Sequence, residues 1–62
     1  MTIQEFTDLR HSLKWSQAET ARALGISVAA VASYESGRRT ISEPVARLFT
    51  MLAELANTAL RD

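Results

Sequence analysis

The chain has 62 residues, room for one domain, and a lone domain of that size buries only ~60% of its unfolded surface. Its 47% apolar and 23% charged residues exclude the polar, highly charged composition of a disordered chain. Seven basic residues balance seven acidic ones, with no cysteine and one histidine, which excludes a disulfide framework, a cysteine- or histidine-based metal centre and a uniformly basic nucleic-acid surface.

The predicted secondary structure is all α. Thr2 with Glu5 three residues on is a capping box, and Ile3, Phe6, Leu9 and Leu13 recur at helical spacing, so a first helix is expected over 3–13. Ser16 with Glu19 is a second capping box and opens a helix over 17–24, which Gly25 stops. Ser27 caps a third helix that runs to about Ser36 and is closed by Gly37. Ser42 caps a fourth over about 43–61, with Pro44 tolerated in its first turn. This last helix is a rod of ~28 Å with one apolar stripe of Val45, Leu48, Phe49, Leu52, Leu55, Ala56 and Ala59. Its first half can pack on the other helices. Its second half has little left to cover it, so Met51, Leu52, Leu55, Ala59 and Leu60 are candidate dimerisation residues.

No run of about eighteen apolar residues occurs, and Met1–Glu5 lacks the apolar core of a secretory signal, so a cytoplasmic domain with no membrane contact is expected. The neutral total hides an uneven distribution. Residues 10–39 hold Arg10, Lys14, Arg22, Arg38 and Arg39 against Glu19 and Glu35, while both ends are acidic. The serines lack the partners of a hydrolase site, and Gly25 and Gly37 are isolated helix stops, not a phosphate-binding loop. Neither catalysis, a metal site nor a cofactor is expected.

The informative stretch runs over about 17–36. Two short helices separated by Gly25-Ile26-Ser27 must cross sharply, the geometry of a helix-turn-helix. Ala21 would let the backbones approach, with Leu24, Ile26, Val31 and Tyr34 beneath. On the third helix Val31 and Tyr34 point inward, while Val28, Ala29, Ala32, Ser33 and Ser36 occupy the other side. Such an uncharged outer face fits a surface that meets a partner. Val28 and Ala29 could touch thymine methyls, and Ser27 and Ser33 could hydrogen-bond to bases or phosphates. Arg38 and Arg39 follow at the end of this helix as a phosphate clamp or minor-groove probe. Lys14 and Arg22 could add backbone contacts or only solvate the surface. Trp15 is expected in the core at the corner between the first two helices, its indole N–H bonded, and His11 on the surface.

The segment from Leu9 to Arg39 resembles the lambda-repressor-like (Cro/CI-type, XRE-type) helix-turn-helix domain, and the resemblance covers about residues 5–52. It rests on Arg10, Ser16-Gln17, Ala21, Leu24-Gly25, Val31 and Glu35-Ser36-Gly37-Arg38. The resemblance implies a compact helix-turn-helix domain, which with the helices read above is a four-helix domain with a long C-terminal helix, and it places Gln17 at the DNA backbone and the N-terminal half of the third helix in the major groove. It also implies an ion pair between Arg10 and Glu35. Thr20 stands where the family has an apolar residue, a change expected to loosen the core locally. The family's short fifth helix is replaced by one long fourth helix.

The function expected is that of a dimeric transcription regulator binding a near-palindromic operator in double-stranded DNA, with half-sites ~34 Å or a multiple apart. An autorepressor of a phage or other mobile element fits best, because one domain fills the chain. The alternatives are the antitoxin of a toxin–antitoxin pair, whose toxin would meet the end of the fourth helix, and a protein-interaction module that has lost DNA binding.

Overall fold

Four helices follow one another in the computed structural model, which describes the backbone of residues 1–61 and the side chains of residues 1–57: α1 (Ile3–Ser12), α2 (Gln17–Leu24), α3 (Val28–Ser36) and α4 (Glu43–Arg61). Local chemistry sets each boundary. Thr2 Oγ1 accepts from the Glu5 amide at 3.1 Å while Glu5 Oε1 accepts from the Thr2 amide at 2.8 Å. The same reciprocal box closes on Ser16 and Glu19, at 3.0 and 2.9 Å. These bonds satisfy amides that a helix start leaves without partners. They also hold the Glu5 and Glu19 carboxyls below their usual pKa. Gly25 (φ 71°) and Gly37 (φ 81°) end α2 and α3 in the left-handed conformation.

α1 also ends in a left-handed residue, and there it is Lys14, at φ 59°. Leu13 caps the helix, the Lys14 amide donates to His11 O at 3.0 Å, and the Trp15 amide returns to Arg10 O at 3.2 Å. A side chain in this conformation is strained by ~1–2 kcal/mol.

The core lies where the four helices meet. Phe6, Val31 and Phe49 are fully buried, and Ala21, Leu24, Tyr34, Ile41 and Ala46 close around them. The Phe6 ring meets Phe49 edge-on at 4.8 Å and Tyr34 at 5.7 Å. Trp15 packs at the α1–α2 corner, its ring stacked 6.2 Å from Phe49. Ala30, on α3, is buried too. Thr20 does not loosen the core. It is fully buried, and its hydroxyl donates to Ser16 O at 2.9 Å, so its one polar group is satisfied and its methyl packs as an apolar residue would.

α4 divides its apolar residues between two adjacent faces, so the single stripe expected is in fact two. Ala46, Phe49 and Ala53 are buried, with Val45, Leu52 and Ala56 half-buried beside them. Leu48, Met51 and Leu55 are 40%, 60% and 66% exposed. No helix among the described residues is long and apolar enough to cross a membrane.

Candidate nucleic-acid interface

The α2–α3 crossing positions the candidate site. Gly25 turns the chain, and the Ile26 amide donates back to Ala21 O at 3.0 Å, so α2 passes into the turn without a break in its bonding. Ser27 then caps α3, its Oγ accepting from the Ala30 amide at 3.0 Å. Ala21 is buried at this crossing, where its single methyl allows the close approach.

Three inward residues, Ala30, Val31 and Tyr34, fix the rotation of α3 about its axis. That rotation leaves Val28, at 46% exposure, together with Ala29, Ala32 and Ser36 on the outside. Ser33 is half-buried at the edge of this face, and its carbonyl accepts from the Arg38 amide at 2.9 Å and the Arg39 amide at 3.3 Å. The Ser36 hydroxyl donates to the same carbonyl at 3.2 Å. The outer face of α3 is therefore small, uncharged and free of long side chains, so a partner can approach its backbone closely.

The two arginines after Gly37 go different ways. Arg38 borders a shallow cleft with Ala29, Ala32, Ser33 and Ser36, so its charge sits at the rim of the α3 face. The Arg39 guanidinium lies 6.0 Å from the centroid of the Tyr34 ring, and Arg39 borders a second cleft with Thr2, Ile3 and Gly37 at the start of α1. Both side chains are exposed, Arg38 beside the outer residues of α3 and Arg39 beside the start of α1. Lys14 and Arg22 are exposed as well.

Gln17, the first residue of α2, is half-buried and bonded within the domain. Its Nε2 donates to Glu35 Oε1 at 3.1 Å. The same oxygen accepts from Arg10 Nη2 at 3.0 Å, Arg10 Nε donates to Glu35 Oε2, and Arg10 Nη1 donates to Trp15 O at 2.9 Å. The Arg10 and Glu35 side chains are only 13% and 12% exposed. Burial alone would push the Glu35 carboxyl up; the bonds from Arg10 and Gln17, with the Arg10 charge, outweigh it and hold the carboxyl below its usual value. One carboxylate thus ties α1 and the start of α2 to the end of α3, and so orients the α3 face. His11 is exposed beside this cluster, its Nε2 3.2 Å from Arg10 Nη2.

On α4 the candidate dimerisation residues separate. Met51 and Leu55 are exposed, Leu52 is half-buried against the domain's own core, and Ala59 and Leu60 lie outside the residues whose side chains are described. Leu48 belongs with Met51 and Leu55, which the sequence reading missed. Sorting α4 by helical angle around Phe49 would have found it. Among the described residues no cluster of three or more His, Cys, Asp or Glu is placed to hold a metal ion.

A family model described as a helix-turn-helix matches residues 8–50, more than half of the chain and the whole of α2 and α3. No curated protein and no solved structure matches it.

Proposed function

The chain belongs to the XRE-type, lambda-repressor-like helix-turn-helix family and is a DNA-binding transcription regulator of that type, and on that premise we propose that it acts as a dimeric repressor of its own or a neighbouring operon, as in a phage or other mobile element. Each copy lays α3 in the major groove of one half of an inverted repeat. The observation that carries this reading is the outer face of α3: uncharged, built from Val28, Ala29, Ala32 and Ser36, and bordered by Arg38.

The face divides the work of binding. Val28 and Ala29 meet thymine methyl groups, and the Ser27 and Ser33 hydroxyls bond to bases or phosphates. Arg38 and Arg39 supply charge against the phosphates, a contribution that holds for any sequence and weakens with salt. Gln17, held at the start of α2, reaches the backbone beside the groove. Repression follows from occupying the operator against polymerase.

Selection of bound sequences from random duplex DNA tests the reading. The expected product is an inverted repeat with half-site centres ~34 Å apart, or a multiple, bound with an affinity that falls steeply with salt. An unstructured pool bound without salt dependence would falsify it.

A further inference from the structure

Leu48, Met51 and Leu55 leave an apolar stripe on α4 that the rest of the domain does not cover. At ~100° per residue the three fall within about 60° of helix surface, with Pro44 in line one turn earlier. They repeat as the two apolar positions of a heptad, the spacing by which one helix packs along another. Arg47 and Glu54, both exposed and one heptad apart, lie on the same flank of the stripe. The opposite flank, with Val45 and Leu52, is already packed on the core.

We infer that a second copy of this chain packs antiparallel on this stripe. Leu48 of each copy meets Met51 of the other, Leu55 meets Pro44, and Arg47 of each reaches Glu54 of the other across the outer flank. The two-fold axis passes between Phe49 and Thr50. This rests on the dimeric reading above and adds its face, direction and register.

The charges select this arrangement. Sliding one heptad toward the C-terminus puts Met51 against Leu55 and sets Glu54 against its own symmetry mate. Sliding one heptad toward the N-terminus does the same to Arg47. Parallel packing places Arg47 beside the apolar Leu52 and sets neither Arg47 nor Glu54 against an opposite charge on the other copy. Of the registers that cover Leu48, Met51 and Leu55 together, only the stated one brings opposite charges together, and two-fold symmetry does so twice. The Glu43–Arg47 contact within one chain, 3.3 Å long with side chains 76% and 70% exposed, holds Arg47 too weakly to prevent the exchange.

Two experiments on the full chain test this. In sedimentation equilibrium, Arg47→Glu and Glu54→Arg should each weaken self-association about tenfold, and the two together should restore it to within about threefold. The chain has no cysteine, so Leu48→Cys and Met51→Cys proteins can be mixed and oxidised, with circular dichroism confirming that both are folded. The mixed disulfide should form in preference to either homodisulfide, on and off DNA. Prevailing homodisulfides, a double reversal that fails to restore pairing, or a chain monomeric even on its operator overturns the inference while DNA binding stands. A complex with a different protein across this stripe, formed in preference to the self-pair, overturns it as well. Failure of the unmodified protein to bind DNA with salt dependence instead sinks the functional reading, and the disulfide result is read independently of it.

Discussion

Arg10 and Glu35, 25 positions apart in the chain, meet fork to fork and join α1 to the last turn of α3. Both side chains are largely covered, so removing one charge leaves the other poorly solvated. Glu35→Gln should lower stability at pH 7 by ~3 kcal/mol in urea unfolding, a large share of what so small a domain has. The pH dependence has a definite sign. The folded carboxyl titrates below its unfolded value of ~4.3, so its contribution is complete above about pH 5 and is lost as pH falls through the folded pKa. The Glu35→Gln protein should lack that part of the acid transition. An unchanged midpoint at pH 7 would mean that the pair contributes nothing.

Lys14 offers the opposite kind of change. It adopts φ 59° one residue past the Leu13 cap of α1, the left-handed conformation that Gly25 and Gly37 adopt directly after α2 and α3. Lys14→Gly relieves the side-chain strain but frees the unfolded chain, and the first effect is the larger in the left-handed region. The variant should gain ~0.5–1 kcal/mol and a few degrees in Tm. A loss of stability would show that the Lys14 side chain makes a contact worth more than the strain.

How legible these features were depends on how local their cause is. The helices starting at Ile3 and Gln17 are written in the Thr2–Glu5 and Ser16–Glu19 boxes, and the ends of α2 and α3 in two glycines. No residue type announces a left-handed Lys14, because its conformation follows from the turn into α2. α4 carries apolar residues over more than half its circumference, so periodicity cannot say which part meets the core. The answer lies in Ala46 and Ala53, which flank Phe49 and let α4 approach closely, and alanine alone is a weak signal. Arg38 and Arg39 look alike in sequence, and only the backbone after Gly37 sends one toward α3 and the other over Tyr34. The Arg10–Glu35 pairing is too distant in sequence for spacing to show, and it came from the family resemblance.

Ala21 is buried at the α2–α3 crossing, with 2% of its surface exposed. Two extra methyl groups there must push α3 outward or strain the turn. Ala21→Val should lower stability by ~1–3 kcal/mol and weaken DNA binding further than partial unfolding explains, because α3 itself moves. Thermal unfolding and DNA titration on the same protein separate the two effects. Full stability and full binding together would show that the crossing has slack.

The proposed division between positioning and reading is tested by substitutions around α3. Arg38 shares a cleft with the outer residues of α3, so Arg38→Ala should weaken binding to all sequences alike and reduce the slope of log affinity against log salt by about 0.9. Arg39 lies over Tyr34, a contact worth ~0.5–1 kcal/mol at an exposed site, so Arg39→Ala should lower stability by about that amount and change the salt slope less. Val28 carries no charge and is 46% exposed at the start of α3. Val28→Ser should alter which operator variants bind, by ~1–3 kcal/mol at a single base pair, and leave the salt slope nearly intact. The base pair affected should be one where 5-methylcytosine is tolerated better than cytosine in place of thymine, because the methyl group is what an apolar side chain contacts. A minor-groove role for Arg39 predicts the reverse: Arg39→Ala would change base preference at an A·T-rich position, and Val28→Ser would not. Measuring both variants against the same set of operator substitutions at two salt concentrations decides between these assignments, since only a base-reading residue changes the rank order of sites.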